Sequence, residues 1–133
     1  MEHRIIVSAV CVYDAQGRLL TVRKRGTEKF MHPGGKPEPG EGAAEAASRE
    51  LLEEVGIVVA PAELVPMGVF EAAAANEADT VIEASVFTAP GVWTAVASAE
   101  IAELRWMDLS APWPGDLAPL LTDFVLPALR PVV

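Results

Sequence analysis

The most constraining feature of the 133-residue sequence is a run of 13 residues, Ala43–Val55, that contains neither glycine nor proline. The run is rich in Ala, Glu and Leu, the segment EPGEG precedes it, and Gly56 follows it. Good helix formers bounded by glycine predict an α-helix that ends in a glycine C-cap. Helical spacing predicts a core-facing side made of Ala44, Ala47, Leu51 and Val55. The same spacing predicts that Glu50, Glu53 and Glu54 share another face.

Short β-branched and aliphatic runs, separated by turn residues, predict strands on both sides of this helix. The runs are Ile5–Tyr13, Arg18–Arg25, Phe30–His32, Leu64–Glu71, Val81–Thr88 and Leu104–Leu109. The first two are joined by DAQG, which suits a tight turn, so we expect a hairpin-like start to a sheet. A closing amphipathic helix is predicted over 117–129, with Pro119 in its first turn and Pro127 as a kink or an end. We therefore expect one α/β (α+β) domain over residues 1–133.

The chain is acidic, and its charge is unevenly distributed. The net charge is −9, yet residues 1–36 hold 7 Lys and Arg against 3 Asp and Glu. Nucleic-acid binding needs a basic footprint, so long nucleic acids are not expected as partners. The longest charge-free stretch, Ala84–Ala99, contains Pro90 and Gly91 and is shorter than the ~20 apolar residues that span a bilayer, so no membrane partner is expected. The single Cys11 excludes an internal disulfide and indicates a reducing, cytoplasmic setting.

Three carboxylates on one helix face repel each other, and this allows two interpretations. The face is either solvated, or it binds a hard divalent cation such as Mg²⁺ or Mn²⁺ through oxygen ligands. The surrounding sequence favours the metal, because the loop PGGKPEPGEG lets the backbone approach a ligand closely and contains Lys36. Arg23, Lys24 and Arg25 end the second predicted strand. Carboxylates for a metal beside cations for phosphate are the combination that phosphoryl chemistry requires.

From Gly35 to Ile57 the sequence reads G-KPEPG-E-GAAEAAS-RELLEEVGI, which resembles the Nudix box, G-x5-E-x7-R-E-U-x-E-E-x-G-U with U aliphatic. Every defined position matches, and the order of strands around the box is also similar to that family. The matching residues are Gly35, Glu41, Arg49, Glu50, Leu51, Glu53, Glu54, Gly56 and Ile57. The resemblance implies the Nudix fold, a mixed β-sheet sandwiched between α-helices with the box as a loop–helix–loop. It also implies hydrolysis of a nucleoside diphosphate linked to another moiety.

The resemblance further implies roles for the box residues. Glu50, Glu53 and Glu54 are implied to hold Mg²⁺, with Mn²⁺ as the alternative, and Gly35 of the loop is implied as a metal and substrate contact. Arg49 is implied to pair with box carboxylates and to orient them. Its position four residues before Glu53 also favours this supporting role over that of a casual surface charge.

A further carboxylate of the family comes from a loop shortly before a strand that contains Trp. Glu100, six residues before Trp106, is our candidate, with Glu103 as the second choice. The general base is left open among Glu50, Glu53 and Glu100.

Two other acids have no fixed assignment. Glu83 lies within an apolar strand run, and the pattern leaves open whether it faces the site or solvent. Glu41 is expected near the helix N-terminus, where the helix dipole stabilises a carboxylate without any catalytic task.

The candidate substrate contacts outside the helix are Arg23 and Lys36, which are predicted to neutralise phosphate charge. His32 stands where the family usually carries Leu or Phe. It is either a group that stacks on or hydrogen-bonds to a base, or simply a residue tolerated at a strand end. Aromatic side chains that either stack on a base or pack in the protein are Phe30, Trp93 and Trp113.

The segment past the box bears on the substrate class. The region past the box, EAAAANEAD, lacks the proline and the tyrosine typical of the branches that cleave ADP-ribose and dinucleoside polyphosphates. The chain is most similar to the branch that converts nucleoside triphosphates, including oxidised ones, to a monophosphate and pyrophosphate. An ADP-ribose or nucleotide-sugar pyrophosphatase is the alternative, and a catalytically silent nucleotide sensor is the alternative of another class. A monomer or a homodimer is expected.

Overall fold

The computed structural model describes residues 3–75, 77–110 and 112–129. The elements in chain order are β1 (His3–Cys11), β2 (Leu19–Lys24), β3 (Gly34–Gly35), α1 (Ala43–Val55), a 3₁₀ turn (Pro61–Glu63), β4 (Val65–Ala73), β5 (Thr80–Thr88), β6 (Ile101–Met107), a π-helical segment (Leu120–Val125) and α2 (Leu126–Leu129).

The strands form two sheets. The larger sheet has the order β3-β1-β5-β4, in which β1 and β5 run parallel while the other pairs are antiparallel. β2 and β6 form a separate antiparallel pair. The mixed sheet that the family resemblance implies is thus confirmed, together with a second sheet that the sequence did not predict.

The predicted hairpin of the first two strands is correct only at its turn. The Asp14 carboxylate accepts hydrogen bonds from the backbone N–H groups of Gln16 and Arg18 at 3.0 and 2.9 Å, and Tyr13 bridges Leu19. Beyond this bridge β1 and β2 enter different sheets, so the predicted pairing is wrong. β1 instead pairs along its whole length with β5, a partner about 75 residues away that no local turn signal indicates.

Two hydrophobic clusters lie on opposite sides of β1. Ala9 and Cys11 pack with the C-terminal helical segment, whereas Val10 and Val12 pack with α1. Successive side chains of a strand point to opposite faces, and this alternation produces the division. The mixed sheet is therefore sandwiched between helices, as the resemblance implies.

The bounds of α1 and its C-cap agree with the prediction. Gly56 adopts the left-handed conformation at φ +70°, and its N–H bonds to helix carbonyls. Ala47, Leu51 and Val55 are buried, and Ala44 is partly buried against the same cluster.

The predicted acidic face of α1 needs one correction. Glu54 does not share the exposed face with Glu53, because only 1% of its surface is accessible. Its position is three residues after Leu51 and next to Val55, so it falls within the core-facing stripe. The helix therefore buries Glu54 and leaves Glu50 and Glu53 with side chains that are 13% and 51% exposed.

The predicted strand over 30–32 is replaced by two isolated bridges. Met31 bridges Val22 of β2, and Phe30 bridges Leu117. Regular pairing with β1 begins only at β3, a pair of glycines for which strand propensity gives no signal.

The closing helix is present, but its winding differs from the prediction. The N–H of Leu126 bonds to the carbonyl of Leu121, five residues earlier, which makes the preceding segment π-helical. The helix does not end at Pro127 but continues to Leu129. Proline lacks an N–H and crowds the carbonyl four residues before it, so a wider turn accommodates it. None of the helices in the described parts of the chain has the length and apolar character needed to cross a bilayer.

Candidate active site

A cleft of about 550 Å³ is lined by both polar and apolar side chains. The main polar side chains are Lys24, His32, Lys36, Arg49, Glu50 and Glu100. The apolar lining comes from β1, β5, the end of β4 and the start of the C-terminal helical segment, and it includes Ile5, Val7, Ala73, Ile82 and Leu120. The volume is that of a small-molecule site.

Two glycines allow the loop before α1 to lie directly against its neighbours. A Cβ atom on Gly35 would lie 2.7 Å from the carboxyl carbon of Glu50, which is closer than real Cβ contacts. Gly34 has a φ of +155°, and a Cβ there would overlap the carbonyl oxygen of Ser8. Any side chain at either position would therefore separate the loop from β1 or from α1.

The Arg49 side chain connects this loop to the carboxylates of α1. Its guanidinium donates to Glu41 at 2.8 and 2.9 Å, to Glu50 at 2.6 Å and to Glu53 at 3.3 Å. It also donates to the backbone carbonyl of Lys36 at 3.1 Å. One planar cation thus fixes the relative positions of three carboxylates and of the loop backbone.

These contacts shift the ionisation of the groups involved. The hydrogen bonds from Arg49 are the main reason that the pKa of Glu41 falls to about 2, with a backbone N–H as a further cause. The same pairing raises the pKa of Arg49 itself. Both groups therefore stay charged across the physiological pH range.

Glu54 has a different environment from its neighbours on α1. Its Oε1 accepts a hydrogen bond from the backbone N–H of Gly34 at 2.9 Å, while its Oε2 is buried and has no hydrogen-bond partner. The nearest cation is the Lys24 ammonium, whose Nζ lies 4.0 Å from Oε2. Burial raises the pKa of Glu54 to about 7, although the Gly34 N–H and Lys24 both oppose the shift.

Lys24 also contacts Glu100, which the sequence singles out as the further carboxylate. Their Nζ and Oε1 atoms are 3.4 Å apart, and the Glu100 carbonyl accepts a hydrogen bond from the N–H of Arg25 at 2.8 Å. The loop that carries Glu100 is therefore tied to the end of β2, next to α1.

His32 is the other buried ionisable group of the cleft. It is 4% exposed, and neither ring nitrogen has a hydrogen-bond partner. Burial lowers its pKa to about 4, so the imidazole is neutral at pH 7.

Five of the sequence candidates are outside the cleft lining: Glu53 and Glu54 of α1, and Arg23, Glu83 and Glu103. Arg23 donates to Glu103 at 2.8 and 3.0 Å and to the carbonyl of Thr27, so both Arg23 and the second-choice acid Glu103 are engaged with each other. Glu83 lies 3.6 Å from Arg4 on the mixed sheet. Arg23, the predicted phosphate contact, is therefore outside the cleft lining, whereas its neighbour Lys24 is part of it.

The three aromatic candidates are likewise outside the lining. Phe30 is buried beneath the Arg105 guanidinium, whose carbon lies 3.7 Å from the ring centroid. The indole N–H groups of Trp93 and Trp113 donate to the backbone carbonyls of Pro90 and Leu109. None of the three lines the cleft as described.

Sequence reasoning missed the position of Lys24, although the signal was present. Side chains of β2 alternate between the two sides of the strand, and Leu20 and Val22 pack with the α1 cluster. Lys24 continues this series of even positions, so its side chain lies on the α1 side. Arg23 belongs to the opposite series.

The donor set suits a hard divalent cation. The four candidate carboxylates are Glu50, Glu53, Glu54 and Glu100. Within residues 3–75, 77–110 and 112–129, no three potential metal-binding side chains converge into a preformed cage. The four are paired instead with Arg49 or Lys24. All are oxygen donors of the type that Mg²⁺ and Mn²⁺ prefer, and the Oε2 of Glu54 is a buried acceptor that lacks a donor, so the residues fit such an ion.

Comparison with known proteins gives the same family. A family model, NUDIX domain, matches residues 2–125. The protein named "Putative 8-oxo-dGTP diphosphatase" from Bacillus subtilis (strain 168) is 43% identical over 47 residues, which are 35% of this chain and 32% of that protein. The match therefore spans about a third of the length of that relative.

Solved structures share the fold. The MutT protein from Methanosarcina mazei Go1 superposes with a TM-score of 0.63 at 26% identity, over 81% of this chain and 79% of that one. The E. coli ORF135 protein superposes with a TM-score of 0.64 at 25% identity, over 99% and 96% of the two chains. With a family model that spans almost the whole sequence and a fold shared along it, the chain belongs to the Nudix family, whose box forms the loop and helix of this cleft.

Proposed function

We propose that the chain is a divalent-metal-dependent pyrophosphohydrolase that converts a nucleoside triphosphate to its monophosphate and pyrophosphate, with oxidised nucleotides among its substrates. The observation that carries the proposal is that Glu50 and Glu100 line the same cleft as Lys24, Lys36 and Arg49. A diphosphate is a polyanion, and its hydrolysis needs cations for its oxygens together with carboxylates for a metal and for a proton. The name of the Bacillus subtilis relative supports the substrate class.

Glu50, Glu53 and Glu54, with Glu100 and the backbone of Gly35, would hold Mg²⁺ or Mn²⁺. A bound divalent cation supplies charge neutralisation at phosphoryl oxygens and lowers the pKa of an attacking water. The Oε2 of Glu54 supports this assignment, because a buried acceptor without a donor is costly unless a ligand satisfies it.

The remaining steps are assigned to the chain's own side chains. Water forms a new bond to phosphorus, the bridging bond between the α- and β-phosphoryl groups breaks, and pyrophosphate leaves. One carboxylate, of Glu50, Glu53 or Glu100, accepts the proton of the water. Lys24 and Lys36 neutralise phosphate charge, while Arg49 positions the carboxylates without touching the substrate.

The proposal is tested by measuring release of the nucleoside monophosphate, the product common to all candidates, from a panel of nucleoside triphosphates, 8-oxo-dGTP, ADP-ribose and a nucleotide sugar. We expect turnover of triphosphates with Mg²⁺ or Mn²⁺ and its loss on addition of EDTA. Reaction in ¹⁸O-labelled water shows which product carries the new oxygen. Preference for ADP-ribose would contradict the substrate class, and tight nucleotide binding without any turnover would indicate a sensor instead of an enzyme.

A further inference from the structure

His32 presents an unexplained pair of polar atoms to the cleft. Its side chain lines the cleft and is 4% exposed, yet both Nδ1 and Nε2 lack hydrogen-bond partners. Buried polar groups in folded proteins are nearly always hydrogen-bonded, so each exception calls for a partner that the protein chain does not supply. An apolar side chain would fill the same position without this cost.

The backbone on both sides of His32 is fixed, so the imidazole can turn towards a ligand only by rotation about its own side-chain bonds. Met31 exchanges two backbone hydrogen bonds with Val22 of β2, both at 2.8 Å, and the carbonyl of Pro33 accepts from the N–H of Val10 in β1 at 3.0 Å. The residue between them is therefore anchored to both sheets. Its ring cannot reach another partner by a loop movement without breaking these bonds.

The surroundings of His32 suit a flat, largely apolar group. Phe30, two residues earlier, packs in the cluster on the side of the sheet that faces the C-terminal segment, and His32 lines the cleft together with side chains of that cluster. Cleft-lining side chains there include Val7, Ile82 and Leu120, all aliphatic. Most of the charged lining, by contrast, comes from α1, its preceding loop, the end of β2 and the Glu100 loop, and Glu77 adds one carboxylate from the loop between β4 and β5.

We propose that His32 is a specificity-determining residue that hydrogen-bonds the edge of the substrate's nucleobase while the aliphatic side chains cover the base's face. This inference rests on the proposed function, since it assigns the base-bearing end of the same substrate. A neutral imidazole offers one N–H donor and one ring-nitrogen acceptor, and both groups occur on the edges of nucleobases. An alkyl group in the same place would leave both ring nitrogens without partners and would be selected against.

The test separates recognition of the base from recognition of the phosphates. KM and kcat for pyrophosphate release are measured with dGTP, with 8-oxo-dGTP and with 2-deoxyribose 5-triphosphate, which lacks a base, for wild type and His32→Phe. We expect His32→Phe to raise KM for the better base-bearing substrate about tenfold, with little change in kcat, because one hydrogen bond is lost. The baseless triphosphate should be unaffected. His32→Gln, which keeps a donor and an acceptor, should restore part of the affinity.

Ile82→Val is the matched control on the same wall, because it removes one methylene and no polar atom. It should change KM for base-bearing substrates by the same factor in wild type and in His32→Phe. Equal effects of His32→Phe on base-bearing and baseless triphosphates, or no effect on either, would overturn the inference.

Binding of α,β-methylene-dGTP, measured by calorimetry with Mg²⁺, keeps this inference separate from the proposed function. A chain that binds this analogue through His32 but turns over no nucleotide supports the inference and refutes the pyrophosphohydrolase. Turnover with unchanged binding by His32→Phe refutes the inference alone.

Discussion

Glu54, which contacts the cleft residue Gly34, and His32, which lines the cleft, are both buried ionisable side chains, and their partners differ. Glu54 is 1% exposed and accepts the Gly34 N–H with Lys24 nearby, whereas His32 is 4% exposed and has no hydrogen-bond partner. Burial disfavours the charged form of both, so it raises the pKa of the acid to about 7 and lowers that of the base to about 4.

The comparison shows how one cleft can serve two kinds of ligand group. Glu54 keeps a pKa close to neutrality because a backbone donor and a lysine offset part of the cost of burial, so it can ionise when a cation arrives. His32 has no such help and stays neutral, which suits an uncharged partner. Under the proposed function, equal burial gives a charge-binding group on α1 and a neutral hydrogen-bonding group at His32.

The largest expected effect is a loss of turnover when one carboxylate of α1 is replaced by an amide. Glu53→Gln should lower kcat by roughly 10²–10⁴-fold, the range for losing a group that acts on the reacting atoms. The Glu53 side chain is 51% exposed, so the stability of the protein should change by only ~0.5 kcal/mol. Steady-state kinetics with Mg²⁺ and thermal unfolding measure the two quantities.

Glu45→Gln is the control for this variant, because Glu45 is a glutamate of the same helix that caps its N-terminus. Its carboxylate accepts the N–H of Gly42 at 3.0 Å, a bond that the glutamine oxygen can replace. Activity should remain that of wild type. Near wild-type kcat in Glu53→Gln would sink the assignment of Glu53.

The second prediction concerns stability and pH in EDTA. The folded pKa of Glu54, about 7, lies above its ordinary 4.5, so the folded state binds more protons and stability falls as pH rises between these values, by about 3 kcal/mol. The folded pKa of His32, about 4, lies below its ordinary 6.5, so the unfolded state binds more protons and stability rises across that interval by a similar amount.

Wild type should therefore show a nearly constant free energy of unfolding between pH 4.5 and 6.5, because the two slopes cancel. Glu54→Gln should become more stable with rising pH in this window, and His32→Phe should become less stable. The lowered pKa of Glu41 acts below this window. Urea unfolding at several pH values measures how the free energy of unfolding changes with pH. The same pH dependence in all three proteins would refute the prediction that Glu54 and His32 have opposite effects.

The third prediction, with the smallest expected effect, concerns Lys24, the cation that lies beside Glu54. Lys24→Met should raise KM for a nucleoside triphosphate about tenfold, since one cation facing phosphate is lost. It should also raise the pKa of Glu54 further, because Lys24 is one of the groups that lower it.

Arg23→Met is the matched control from the other side of β2. Its exposed ion pair with Glu103 contributes little, so KM should not change. If the two variants raised KM equally, substrate binding would not depend on which side of β2 carries the cation.

Local signals predicted α1 correctly, with its bounds and its Gly56 cap, because glycine and helix propensity act within a few residues. Those signals could not predict the burial of Glu54. Helical spacing alone groups it with Glu50 and Glu53, and only packing of α1 on β1 shows which side of that group turns inward.

Two other predictions, the first hairpin and the strand over 30–32, failed because contacts between distant parts of the chain decide the structure there. The predicted hairpin of β1 and β2 ignored β5, which competes for β1 from far along the chain. The predicted strand over 30–32 was displaced to a glycine pair, because Gly34 is the residue whose lack of a side chain permits contact with Ser8.

The anchored segment from Phe30 to Gly34 has a mechanical consequence. The N–H and carbonyl of Phe30 bond to residues 116 and 118, while Gly34 donates to Glu54. Only Pro33, whose ring fixes φ, separates His32 from Gly34. The imidazole of His32 and the N–H that holds the Glu54 carboxylate are therefore carried by one short segment, which hydrogen bonds fix on both sides. Within that segment, the distance between the two groups is set by the backbone and not by a flexible loop.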